Sequence, residues 1–107
     1  MKYTIPAKVV HDNVSVEVIA YKTDTPGLIT HHNIKRTYGE DYPQVGTRWV
    51  ITHVKSGQGI SGSFNLRKHA KEFAKRIKDI VDWTQDAEHI KAHVDTRDIQ
   101  RIYREVA

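Results

Sequence analysis

Hydrophobic and polar positions alternate in the two-residue period of β-strands through the first half of the chain. Between residues 14 and 22, every second position from Val14 to Ala20 is apolar, and the intervening positions begin with polar side chains. Such alternation is typical of a strand with one buried face. A shorter apolar run precedes it, so the pattern predicts a β-hairpin of residues 3–10 and 14–22.

Three further strands are predicted between residues 28 and 64. A Pro-Gly turn at 23–27 leads into a strand at 28–32. The pattern is lost from 33 to 46, where residues 38–43 are expected to form a loop. The stretch 47–54 is apolar without clean alternation, which is typical of a strand covered on both faces. A glycine-rich turn then leads into a returning strand at 60–64.

After Phe64 the apolar period changes to that of a helix. Asn65 is a suitable N-cap, and the spacing predicts a helix over 66–83. Thr84 can cap a second helix over 85–94, and Asp95 a third over 96–106. The sequence therefore predicts an α+β fold, in which an antiparallel sheet of four to five strands (residues 3–64) is followed by two to three helices packed on one face.

The length and composition of the chain limit the classes of function it can have. The chain has 107 residues, which we expect to form a single domain spanning 1–107. It contains no cysteine, which excludes disulfides, thiolate metal ligands and a cysteine nucleophile. No apolar run is long enough to span a bilayer and the N-terminus lacks a signal-peptide pattern, so the expected location is cytoplasmic, without membrane contact.

The polar faces of the predicted helices are basic, and the formal net charge is +4. Glu72 and Asp79 lie at the margin of the first helix, where they can pair with Lys68 and Lys75. Lysine and arginine on one face can neutralise phosphates and release counterions, which predicts contact with a nucleic-acid backbone. The predicted binding residues are Arg67, Lys68, Lys71, Lys75 and Lys78 on the first helix and Arg97, Arg101 and Arg104 on the last. Trp49 or Tyr42 could stack on a base if exposed.

A glycine motif and a helix face with two histidines both favour structural explanations. Residues 57–62 match G-x-G-x-x-G, but they precede a predicted strand rather than a helix, so no dinucleotide site is expected. Asp86, His89 and His93 share one helix face, yet a solvated face is a commoner use of such residues than zinc binding. His53 is expected to be a packed, hydrogen-bonded histidine. We therefore predict no catalytic residue, no metal site, no cofactor and no enzymatic activity.

A recurring set of aromatic, glycine and apolar positions runs through residues 21–84. Its members are Trp49, Thr52-His53, Ser56-Gly57, Ile60, Phe64, Ala70, Phe73-Ala74, Ile80 and Asp82-Trp83, with 23–28 upstream. This set resembles a pattern in small uncharacterised proteins carried by phages, plasmids and integrative elements of Gram-positive bacteria. The resemblance implies a mobile-element origin without implying catalytic residues.

Two functions remain open at this stage. The leading hypothesis is a non-enzymatic accessory protein of a mobile element that binds nucleic-acid backbone through its basic helix faces. The alternative is a protein-interaction module that inhibits a host defence system, of the anti-CRISPR or anti-restriction type, acting on a host protein or as a homodimer.

Overall fold

A computed structural model describes residues 4–11, 14–35 and 44–107, with side chains placed in 18–33 and 46–107. The predicted loop at 38–43, which includes Tyr42, lies outside the described residues. Within them, five strands precede three helices. The elements are β1 (Thr4–His11), β2 (Val14–Lys22), β3 (Leu28–Lys35), β4 (Gln44–His53), β5 (Gln58–Phe64), α1 (Arg67–Arg76), α2 (Ala87–His93) and α3 (Thr96–Val106).

The strands form one antiparallel sheet in chain order, from β1 to β5. The predicted α+β class is therefore confirmed, and each predicted strand is present, with β2 at its predicted bounds and the ends of the other strands shifted. In addition, β1 lies close to β5, so the sheet curls and its first and last strands approach each other. This curvature encloses the sheet face opposite the helices.

Both faces of the central strands are buried. Leu28 and Ile51 face the helices and are 2% and 0% exposed. On the opposite, enclosed face, Ile29, His31 and Thr52 are equally hidden. His31 is satisfied there, because its ring nitrogens hydrogen-bond to the His32 carbonyl and to Thr52 Oγ1, both at 2.7 Å. Burial on two sides confirms the interpretation of the non-alternating pattern in β4.

The helices cover the sheet through an aromatic centre. Phe64 of β5, Phe73 of α1 and Tyr103 of α3 pack with ring centroids 5.1 to 6.1 Å apart. The Tyr103 hydroxyl donates to the Ser63 carbonyl at 2.8 Å. Gly62 permits this approach, because a Cβ there would lie 2.5 Å from the Tyr103 hydroxyl. The remaining buried helix-side residues are Ala70, Ala74, Ile77, Trp83, Ile90, Ile99 and Ile102.

Helix α1 ends at Arg76, seven residues before the predicted end at 83. The Lys78 amide bonds to the Lys75 carbonyl, so the Ala74 carbonyl loses its usual helical donor. Thr25 Oγ1 supplies that donor at 2.6 Å in a fully buried bond. Trp83 Nε1 likewise donates to the Ile77 carbonyl at 2.9 Å. The Thr25 hydroxyl thus satisfies a carbonyl of the last helical turn, and a turn at 77–80 replaces further helix.

The turn before β3 fits closely beneath this helix end. Gly27 adopts φ +92°, a conformation that favours glycine. A Cβ at this position would lie 2.2 Å from the Trp83 carbonyl oxygen. The segment 23–28 is therefore a packing element that brings Thr25 to the end of α1.

The helix starts differ in part from prediction. Leu66, not Asn65, occupies the N-cap of α1, and the Asn65 side chain accepts a hydrogen bond from Arg48 instead. Helix α2 begins after Asp86, whose side chain accepts from the His89 amide, rather than after Thr84. The predicted Asp95 cap of α3 is confirmed, with the Arg97 amide donating to Oδ1 at 2.9 Å.

Candidate nucleic-acid interface

The five predicted basic residues of the first helix lie on α1 and on the turn that follows it, and we call them the basic ridge: Arg67, Lys68, Lys71, Lys75 and Lys78. The four lysines are exposed and Arg67 is half-buried. Helix α1 presents its apolar side to the sheet, so the helical repeat places the lysine side chains toward solvent. Lys78 lies in the turn after α1 rather than in the helix itself.

Charge is concentrated in this part of the sequence. Residues 67–79 hold six Lys and Arg against two Asp and Glu, a surplus of four positive charges. That surplus equals the formal net charge of the whole chain, so the other residues balance to zero. The protein's excess positive charge therefore resides on one helix and the turn that follows it.

Among the described residues, no ion pair neutralises the lysines of the basic ridge. The predicted ion pairs of Glu72 and Asp79 with Lys68 and Lys75 are absent from the described part of the structure. Every ion pair between described side chains involves an arginine. Exposed, unpaired lysines can exchange water and counterions for a phosphate at little desolvation cost.

The arginines of α3 have carboxylate neighbours. Arg97 lies 3.4 Å from Asp95, and Arg101 lies 3.6 Å from Asp98 and 3.9 Å from Glu105. Hydrogen bonds from the Arg97 backbone amide, and then its side chain, lower the pKa of the Asp95 carboxyl, so that group stays ionised. Arg97 and Arg101 are thus accompanied by carboxylates, and residues 95–106 hold three arginines and three acidic residues, whose formal charges sum to zero.

An ion pair between Arg76 and Glu105 links the two helices. It joins the flank of α1 to α3, so a carboxylate lies between the basic ridge and the α3 arginines. The structure thus places the two groups of predicted binding residues in neighbouring helices, but not in one uninterrupted positive surface. Exposed Arg104 has no carboxylate partner among the described side chains.

The other end of the basic ridge meets an aromatic cluster. The Arg67 guanidinium carbon lies 4.4 Å from the centre of the Tyr21 ring and 5.6 Å from that of Trp49. The two rings meet edge to face at 5.7 Å, and the His32 ring packs on Trp49 at 4.0 Å. All four side chains are half-buried. We call Tyr21, Trp49 and Arg67 the aromatic–arginine cluster.

Sequence reasoning identified Arg67 and Trp49 separately but missed Tyr21 and the contact between them. Strand register explains the contact: Tyr21 pairs with Thr30 in β3, and Trp49 pairs with Phe64 in β5. All four positions therefore share the helix-covered face of the sheet. No local signal connects Tyr21 with Arg67, because 46 positions separate them along the chain.

The remaining histidine and glycine patterns have structural roles in the described residues. His53 is buried as predicted, with Nδ1 2.9 Å from Ser56 Oγ and Nε2 2.8 Å from the Gln85 carbonyl. His89 and His93 stack at 4.2 Å, while Asp86 caps α2. No group of three potential metal ligands occurs in the part of the chain that the structure describes. The glycine motif lies in the turn before β5 and in β5 itself.

An apolar cavity of about 270 Å³ lies between β5 and the helices α2 and α3. Ile60, Ile90 and Ile99 form much of its wall, and Ser56 and Lys91 supply polar groups. None of the basic-ridge residues lines the cavity, and His53 and Ser56 in its wall hydrogen-bond to each other.

No family model matches this sequence, and neither a curated protein nor a solved structure matches it. Within the described residues, no helix is both long enough and apolar enough to cross a bilayer. The proposed function is therefore based on the geometry and charge of the chain itself.

Proposed function

We propose that this protein is a non-enzymatic nucleic-acid-binding protein that contacts the phosphate backbone through the basic ridge on α1. The observation that carries the proposal is the surplus of four positive charges on residues 67–79, together with lysines that have no carboxylate partner among the described residues. Phosphates would displace only water and counterions from these side chains.

The ridge suits backbone contact rather than base reading. Lysine is a flexible point charge that recognises a phosphate without fixing its orientation. Affinity through such contacts is independent of base sequence and falls steeply with salt. The α3 arginines Arg97, Arg101 and Arg104 contribute less in this proposal, because Asp98 and Glu105 beside them repel phosphate.

Salt titration tests the proposal directly. Fluorescence anisotropy with a labelled DNA duplex should give log affinity falling with log salt at a slope of about −4, as expected for four neutralised phosphates. The double variant Lys71→Gln and Lys75→Gln should reduce the slope by about 2. The matched variant Arg97→Gln and Arg101→Gln removes equal charge from α3 and should change the slope less. Absence of binding to both duplex and single-stranded DNA at about 20 mM salt would refute the proposal.

A protein partner is the second candidate, and exposed apolar side chains favour it. Ile19, Leu66 and Val54 are 64%, 49% and 48% exposed. Such residues can belong to a surface that a host protein or a second copy of the chain covers. Inhibition of a host defence system, of the anti-CRISPR or anti-restriction type, belongs to this alternative. Retention of one host protein after nuclease treatment, with no duplex binding, would favour it over nucleic-acid binding.

A further inference from the structure

The aromatic–arginine cluster lies where the basic ridge begins, and its chemistry differs from that of the ridge. Arg67 contributes a planar cation, whereas the lysines that follow it contribute point charges. Its guanidinium lies over the Tyr21 ring at 4.4 Å, and Tyr21 in turn contacts Trp49. This arrangement holds a flat, partly exposed group beside a row of cations.

We propose that the cluster of Tyr21, Trp49 and Arg67 is a stacking site for an unpaired nucleobase, so that the preferred ligand is single-stranded nucleic acid. This inference rests on the proposed function, because the strand's phosphates would be held by the lysines of the basic ridge. Bases stack on aromatic rings and on guanidinium planes, and only an unpaired base can leave its neighbours to do so.

The geometry prepares Arg67 for this role. Contact with two aromatic rings restricts the side chain, so less rotamer entropy is lost when a base arrives. None of the ion pairs between described side chains includes Arg67, so its charge can be used by a ligand. From Arg67, steps of four residues lead to Lys71 and Lys75, about 6 Å apart along the helix axis. One base at the cluster would thus leave the following phosphates beside the lysines.

The two tryptophans make the site observable. Trp49 belongs to the cluster and is half-buried, whereas Trp83 is only 2% exposed in the core. We expect a twelve-residue oligo(dT) to change the tryptophan emission and a twelve-base-pair duplex to bind without that change. The Trp49→Phe variant should retain Trp83 emission and lose the response.

Affinity measurements with Arg67→Lys separate stacking from charge. This variant keeps the positive charge and loses the planar group. Its affinity for oligo(dT) should fall roughly 5- to 100-fold, the range for loss of one stacked base. Its affinity for inorganic polyphosphate, which carries charge and no bases, should change less than about twofold. The control Lys91→Arg conserves charge on α2, outside both the cluster and the basic ridge, and should leave oligo(dT) affinity within the same twofold limit.

The outcomes distinguish this inference from the proposed function. If the wild-type protein binds duplex, polyphosphate and oligo(dT) alike with no emission change, stacking is refuted and backbone binding stands. Equal loss of oligo(dT) and polyphosphate affinity in Arg67→Lys also refutes stacking, because charge placement alone would then explain the effect. Absence of binding to all three ligands at 20 mM salt would overturn both proposals.

Discussion

Replacing Thr25 with valine tests the account of why α1 ends at Arg76. The substitution keeps the β-branched shape and removes the hydroxyl that donates to the Ala74 carbonyl at 2.6 Å. Both residues are buried, at 2% and 0% exposure, and the Lys78 amide is engaged with the Lys75 carbonyl. The variant leaves a buried carbonyl without a protein donor, which should lower the free energy of unfolding by about 1–3 kcal/mol.

Urea unfolding followed by circular dichroism at 222 nm measures this change. The midpoint should fall while the denaturant slope stays constant, and Tm should drop by roughly 5–20 °C. Thr47→Val is the matched control, because Thr47 is exposed on β4 and its loss should cost less than about 0.5 kcal/mol. A Thr25→Val variant as stable as this control would refute the argument, since another group would then satisfy the Ala74 carbonyl.

Three further predictions follow from buried groups. Gly27→Ala should abolish cooperative thermal unfolding or lower Tm severely. The position has φ +92°, and a Cβ there would lie 2.2 Å from the Trp83 carbonyl oxygen. Calorimetry that shows an unchanged Tm would contradict this prediction. Tyr103→Phe should cost about 1 kcal/mol in urea unfolding, through loss of the hydrogen bond to Ser63, and a neutral result would show that the bond is dispensable. Burial lowers the pKa of His31 below 6.5, so the unfolded chain binds more protons than the folded one as pH falls. The contribution of His31 to stability should therefore be constant above pH 7.5 and decrease as pH drops through 6.5. The urea midpoint of His31→Gln should fall less between pH 7.5 and 5.5 than that of the wild type, and an equal fall would contradict the prediction.

The side of α1 that faces solvent could be predicted because its signal is local. The repeat of apolar residues from Ala70 to Ile77 specifies which side of α1 faces the sheet, and it therefore specifies that Lys71 and Lys75 face solvent. The same reasoning marked the α3 arginines as equivalent. The position of Glu105 near these arginines could not be predicted from the sequence, because that side chain lies between the helices only when α3 packs beside α1 and Arg76 contacts it.

By itself, the sequence determined the order and type of the elements, because the periods of two and 3.6 residues are local properties of the chain. It also determined the location of the excess charge, which depends only on residue identity. Only the tertiary structure decided where α1 stops, because the donor to the Ala74 carbonyl is the Thr25 hydroxyl, 49 positions away in the chain. It alone also brought Tyr21 and Trp49 beneath Arg67, since strand register and helix packing depend on contacts between residues far apart in the chain.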